Sequence, residues 1–326
     1  MIIKVIDLSY QHPLRELEML SPWFDASSLG PSDQASKGRP PVGPASFVVV
    51  LAPPRVGSFH LCRLLWGLGY GQPTEYFNPH PIYRRALGRW GRWGSDPWLQ
   101  MLARERSATS LFSGRPFFAT KLQPFQRRGS YRTILERLQR PLRRAGLITA
   151  DPPFVVRLQR RNWQAATASL HFSRCTGAYD LGLETTHQGL AFDQLLDPEA
   201  LSQTCAEMDR HRAWLEQACR HLPPQLELSY EQLISDQSGQ LARLVAALEP
   251  DVDLASPDVQ AALRRPIRRE HPPWSEERRL WLQRLEATIR AGHHSSGPAG
   301  DSDPDQPGGA PAAARSRDRG HGRRPS

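Results

Sequence analysis

The segment 55–58, with the sequence RVGS, has the residue types and the placement needed to bind an anion. It follows an apolar run at 47–51, typical of a buried strand, and precedes an apolar stretch at 58–68 with helical spacing. In a strand–loop–helix unit, the first helical N–H groups lack partners and the helix dipole favours negative charge. Arg55 adds a forked cation that suits phosphate or sulfate. The segment therefore predicts a binding site for a phosphorylated or sulfated ligand. A tight strand-to-helix turn with a solvent-facing arginine is the structural alternative.

A second group of polar residues follows the apolar run at 154–158. Arg161 stands just after this predicted strand, and Ser169 comes eight residues later, about two helical turns along the chain. A guanidinium and a hydroxyl so placed can hold one phosphate, since ligands of open parallel sheets bind outside the carboxyl ends of the strands. Taken alone, a solvated basic strand end followed by a helix serine explains these residues better. Two such groups together indicate a ligand with two separate anionic ends.

Other motifs narrow the class of protein. The loop lacks the lysine and the spacing of a Walker A motif, and it is not a dinucleotide fingerprint. The cysteines, at positions 62, 175, 205 and 219, form no metal-like pair, so we expect reduced thiols and no metal site. A net charge of +9 favours an anionic ligand, but no nucleic-acid-binding signature is present. Without a bilayer-length apolar run or a signal-peptide core, the expectation is a soluble cytoplasmic protein.

Short apolar strands alternating with helices predict a three-layer α/β fold, in which helices flank a central parallel sheet. We expect an N-terminal extension, partly loop, over 1–45, one α/β domain over 46–291, and a disordered tail over 292–326. Further strands are predicted at 116–122 and 225–228. Further helices are predicted at 130–145, 163–174, 198–221, 230–234, 239–248 and 275–289.

The sequence resembles bacterial sulfotransferases of the trehalose 2-sulfotransferase type, patchily over 46–290. The family carries a loop like PRSGSTLL followed by a Glu-Tyr-Phe segment, and this chain has PRVGSFHL at 54–61 and EYF at 75–77. The family's second motif has two arginines and, eight residues after the second, a serine, matched here by Arg160, Arg161 and Ser169. The segments SRCTGAYD at 173–180 and LSYEQL at 228–233 also resemble family elements.

This resemblance implies a P-loop-like fold and the co-substrate 3′-phosphoadenosine 5′-phosphosulfate, with no metal. The residues Arg55, Val56, Gly57, Ser58 and Phe59 would hold the 5′-phosphosulfate. Arg161 and Ser169 would hold the 3′ phosphate. The acceptor would be a carbohydrate or a glycolipid, and a homodimer is a weaker expectation.

By the same resemblance, Glu75 would be the general base that deprotonates the acceptor hydroxyl. A surface or capping glutamate is the structural alternative, and His60 is a rival base. Lys121, at the predicted end of the 116–122 strand, is expected to contact the sulfonate or the acceptor. A snorkelling strand-end lysine is equally compatible with the pattern.

Two residues of the loop depart from the family pattern. Val56 stands where the family has a serine, and Phe59 where it has a threonine, so two side-chain hydrogen-bond donors are replaced. These changes motivate an alternative: a nucleotide-binding or scaffolding protein that kept the fold and lost turnover. A kinase-like phosphotransferase is a further alternative, disfavoured because the Walker lysine and a magnesium-binding Ser/Thr and Asp pair are missing.

Overall fold

A computed structural model describes residues 43–77, 92, 94–124, 131–176, 192–264 and 276–295. The strands are β1 (Ser46–Leu51), β2 (Ala108–Thr109), β3 (Pro116–Leu122), β4 (Phe154–Gln159) and β5 (Leu226–Ser229). The helices are α1 (Ser58–Gly67), α2 (Asp96–Arg106), α3 (Tyr131–Arg144), α4 (Trp163–Thr176), α5 (Pro198–His221), α6 (Tyr230–Ser235), α7 (Gln237–Leu248), α8 (Pro257–Arg264) and α9 (Glu276–Ser295). A 3-10 helix spans Phe192–Leu196.

The strands form one sheet in the order β2-β3-β1-β4-β5. β1 lies at its centre, parallel to both β3 and β4, so that Val50 pairs with Lys121 on one side and with Val156 on the other. β4 is parallel to β5, whereas β2 runs antiparallel to β3. The predicted parallel sheet is therefore confirmed as mostly parallel. The sequence did not predict β2, because two residues are too short to show a periodic pattern.

Helices cover both faces of the sheet, as predicted. Alternate residues of each strand point to opposite faces, and this alternation divides the core into two large clusters. The first cluster joins Val48, Val50, Val156 and Leu228 to helices α1, α6, α7 and α8. The second joins Phe47, Val49, Phe118 and Val155 to helices α2, α3 and α5. Helix α4 packs instead between α5 and α9, through Leu170 with Met208 and Phe172 with Leu285.

The strand order places a topological switch point between β1 and β4. The chain leaves β1 for β3 on one side of it, by way of α1, and later crosses to β4 on the other side, by way of α3. Helix α1, which follows β1, packs on one face of the sheet, and helix α3, which precedes β4, packs on the other face. Open α/β sheets bind ligands at such a switch point. The two predicted anion-binding groups follow β1 and β4, the strands on either side of this switch point.

Most predicted elements are confirmed, with the 198–221 helix and the 116–122 strand at the expected bounds. Helices α2 and α8 were missed. In α2 the start signal was present: Ser95 accepts a hydrogen bond from the Trp98 N–H, and a proline stands in the first turn. The apolar start of the chain at 2–8, residues 177–180 and residues 296–326 lie outside the described residues.

Candidate functional site

The loop between β1 and α1 has an unusual backbone. Arg55 has φ 64° and is the one non-glycine residue with a positive φ in the part of the chain that the structure describes, and Gly57 has φ 80°. Gly57 is also the N-cap of α1, so no side chain caps that helix, and its first turn carries no acidic residue. The first N–H groups of α1 therefore have neither a capping side chain nor an acidic residue of the helix's own first turn beside them. This geometry suits an anion held by backbone N–H groups.

Tyr230, the first residue of α6, fills the space beside Gly57. A Cβ atom at position 57 would lie within 2.7 Å of two carbons of the Tyr230 ring. On the same ring, the Arg160 guanidinium lies 4.9 Å from the centroid, a cation–π distance. Arg160 also donates from Nη1 to the Arg55 carbonyl oxygen at 3.4 Å. Arg160 and Tyr230 together hold the loop in its strained conformation.

From the sequence, Arg160 was matched to the family's second motif and Tyr230 to the segment at 228–233, but neither residue was given a role in binding. For Arg160 a signal existed in the strand alternation. Val156 and Leu158 belong to the cluster that faces α1, so the next residue of that parity is directed to the same side. For Tyr230 the contact with Gly57 joins positions far apart in the chain, and no local pattern reports it.

The two predicted anion-binding groups meet in the structure. Arg55 donates from Nε to Ser169 Oγ at 2.9 Å, and Ser169 is buried in α4. The hydroxyl that was predicted to share a phosphate with Arg161 is therefore bound by Arg55. Arg161 itself is exposed just before α4. The structure thus brings Arg55 and Ser169 together and leaves Arg161 at the outer edge.

The N-terminus of α4 already holds an internal carboxylate. Glu231 accepts hydrogen bonds at 3.1 Å from the backbone N–H groups of both Arg161 and Asn162. Burial alone would raise the pKa of Glu231. The hydrogen bonds from those two N–H groups and from its own, with the charge of Arg160, outweigh burial and lower this pKa below its ordinary value. Asn162 caps the helix, because its Oδ1 accepts from the Ala165 N–H at 2.9 Å.

Lys121 and Glu75 form a buried ion pair beside the loop. The Lys121 side chain is 0% exposed, and its Nζ lies 2.6 Å from Glu75 Oε1. The same Nζ donates to Ser58 Oγ at 3.3 Å and lies 3.5 Å from the centroid of the Phe59 ring. The snorkelling alternative for Lys121 is therefore wrong. The surface alternative for Glu75 is wrong as well, since that residue is 4% exposed.

The structure gives both departures from the family pattern a role. Val56 is fully buried and joins the apolar cluster under α1, so its side chain stabilises the loop from below. Phe59 covers the Lys121 ammonium, as aromatic rings do for desolvated cations. The hydroxyls expected at these positions are thus replaced by groups that pack. His60, the rival base, is half-buried in α1.

Cys62 lies within α1 next to this ion pair. Because its thiol is buried, we expect the free energy of unfolding to fall at high pH. Burial raises the pKa of its thiol from 9.0 to about 12; Lys121 opposes this shift and Glu75 adds to it. A raised folded-state pKa leaves stability intact below pH 9 and removes it as the pH rises toward 12. The expected slope is up to about 1.4 kcal/mol per pH unit. Urea unfolding between pH 8 and pH 11 measures it.

The Cys62→Ala variant is the control for this prediction. Its unfolding free energy should fall less steeply over that pH range than that of the unmodified chain. Cys205→Ala, at a partly exposed thiol, should change the slope less. Parallel curves for the unmodified chain and Cys62→Ala would contradict the assignment.

No family model matches this chain, and no curated protein matches it. Among the described residues, no three or more histidine, cysteine or acidic side chains come together as a metal would require. None of the helices in the described ranges has both the length and the apolar character of a membrane span. The site is therefore interpreted from its own residues.

Proposed function

We propose that this protein is a sulfotransferase that moves a sulfuryl group from 3′-phosphoadenosine 5′-phosphosulfate to a hydroxyl of a carbohydrate or glycolipid. One observation carries the proposal: Arg55 Nε donates to Ser169 Oγ, which joins the loop after β1 to the helix after β4. The contact brings the group proposed to bind the 5′-phosphosulfate next to the group proposed to bind the 3′ phosphate. A ligand with an anion at each end fits a site of this kind, whose walls lie at a switch point of the sheet.

Each residue has a role in the proposed complex. The backbone of 55–58 and the N-terminus of α1 bind the 5′-phosphosulfate, with Arg55 as a charged donor. Ser169, which contacts Arg55, and the exposed Arg161 bind the 3′ phosphate. Tyr230 and Arg160 hold the loop, as their contacts with Gly57 and with the Arg55 carbonyl require.

Glu75 is the general base in this proposal. It takes the proton of the acceptor hydroxyl while that oxygen forms a bond to sulfur. The bond between sulfur and the 5′-phosphate oxygen breaks, its electron pair stays on that oxygen, and adenosine 3′,5′-bisphosphate leaves. Catalysis then rests on position and on charge stabilisation, as in phosphoryl transfer.

The first test is thermal unfolding with adenosine 3′,5′-bisphosphate, with ATP, with and without magnesium, as the comparison. At about 100 times Kd the expected stabilisation is about 2.7 kcal/mol, a shift of several degrees. Arg161→Ala should weaken it, and Arg243→Ala, a surface arginine bonded to Gln240 in α7, should not. A shift with magnesium–ATP alone would favour the kinase-like alternative.

Transfer itself is measured with sulfur-35-labelled donor and a panel of glucose, trehalose, N-acetylglucosamine and glycolipid acceptors. Glu75→Gln should lower the rate at least a hundredfold, the usual contribution of a general base. Bisphosphate binding without transfer to any acceptor would support the lapsed nucleotide-binding protein. Full activity in Glu75→Gln would overturn the base assignment.

A further inference from the structure

One atom, Lys121 Nζ, contacts both the proposed base, Glu75, and the anion cradle, which is the loop 55–58 together with the N-terminus of α1. It lies 2.6 Å from the Glu75 carboxylate and 3.3 Å from Ser58 Oγ, and Ser58 opens α1. Lys121 reaches this position because it pairs with Val50 in the sheet register and points to the face that carries α1. The two reactive parts of the site are thus joined through a single ammonium group.

The surroundings of this ammonium are fully desolvated. Lys121 is completely buried, and the Phe59 ring covers it at 3.5 Å. A buried charge is costly unless it is paired, so Glu75 is the counter-ion that allows Lys121 to be there. The ion pair of Arg157 with Glu216 on the opposite face differs, since its side chains are 14% and 55% exposed. Solvent screens that pair but cannot screen the pair at the cradle.

We propose that Lys121 is a positioning residue that couples the charge state of Glu75 to the anion held by the loop. This inference rests on the proposed function. When Glu75 takes the acceptor proton, its carboxylate becomes neutral and no longer compensates the ammonium. The Lys121 charge then acts on the loop at Ser58, where negative charge collects on the departing phosphate as the sulfur–oxygen bond breaks. Proton uptake and leaving-group stabilisation thereby occur together.

The coupling has a consequence that needs no turnover. Glu75→Gln imitates the protonated base, so Lys121 loses its counter-ion and an anion in the cradle becomes the group that can compensate its charge. An anion in the cradle should then bind more tightly, by roughly tenfold, within the range usual for coupled sites. If Glu75 and Lys121 had only a structural role, Glu75→Gln would weaken anion binding, because it would damage a buried contact. The same variant should therefore bind the product better while it transfers sulfate more slowly.

The experiment is a double-mutant cycle on affinity, measured by titration calorimetry with adenosine 3′,5′-bisphosphate. Glu75→Gln should tighten binding, and the gain should vanish when Lys121→Met is added. Glu216→Gln, which removes the carboxylate of the exposed pair, should leave the affinity unchanged. Circular dichroism establishes that each variant is folded. If Lys121→Met alone does not fold, the affinity of the double variant is compared directly with that of Glu75→Gln.

Inorganic sulfate as a second probe separates this inference from the proposed function. If the bisphosphate does not bind but sulfate binds more tightly to Glu75→Gln through Lys121, the nucleotide donor is wrong and the coupling stands. An unchanged or weakened affinity in Glu75→Gln, or a gain that persists without Lys121, would overturn the coupling. Failure of both anions to bind the unmodified chain would overturn both proposals.

Discussion

Replacing Gly57 by alanine is expected to remove bisphosphate binding and to lower the unfolding free energy by about 2–4 kcal/mol. Two causes add. The φ of 80° strains any residue with a Cβ, and that Cβ would lie within 2.7 Å of two carbons of the Tyr230 ring. Either the Tyr230 ring or the loop must move, and the loop provides the backbone N–H groups proposed to bind the anion. Urea unfolding and calorimetric titration of the variant measure the two effects.

Two further variants separate strain from collision. Gly114 has a φ of 71° and open space around it, so Gly114→Ala should cost about 1–2 kcal/mol without loss of binding. Adding Tyr230→Ala to Gly57→Ala removes the collision and should restore part of the stability. If Gly57→Ala binds the bisphosphate like the unmodified chain, the loop is not the anion site.

Lys121→Met is expected to destabilise the protein by about 3–5 kcal/mol, because it leaves the Glu75 carboxylate buried without its cation. The double variant with Glu75→Gln should regain most of this loss, since neither charge then remains. The measurement is the urea midpoint of the two single variants and of the double variant.

Arg157→Met provides the comparison for this prediction. It breaks a partly exposed ion pair on the other face of the sheet and should cost about 1 kcal/mol or less. If the double variant at 75 and 121 is no more stable than Lys121→Met, the two charges do not compensate one another. A loss in Lys121→Met as small as that in Arg157→Met would argue against a desolvated pair.

The layers of the fold and the residues proposed to bind anions could be read from local patterns. Short apolar runs, rich in valine in β1 and β4 and in phenylalanine in β3, marked these strands, and the loop after β1 identified Arg55 as a cationic group at the carboxyl edge. Ser169 was found by its spacing on a predicted helix. In each case the signal lies within a few turns of the residue concerned.

The partners of these residues could not be read in the same way, because they depend on strand register and on helix packing. From the sequence, Lys121 was either a contact to the sulfonate or the acceptor or a snorkelling strand-end residue, since lysine is rarely buried unless it is paired. Its burial follows only once β3 lies beside β1 and brings it to Ser58 and Glu75. Phe59 looked like a lost hydroxyl for the same reason, because its cation lies on another strand.

The contact of Tyr230 with Gly57 also sets when the site can form. The ribosome synthesises the loop 55–58 early, but the Tyr230 ring that supports it belongs to a segment synthesised some 170 residues later. Until β5 and α6 have packed against the sheet, a nascent chain contains the residues of the cradle but does not hold them in the binding conformation. Such long-range closure slows folding, since the chain must lose loop entropy before the contact forms. Ligand binding by this protein therefore reports that its whole sheet has been assembled, and a chain truncated before residue 226 should bind no nucleotide.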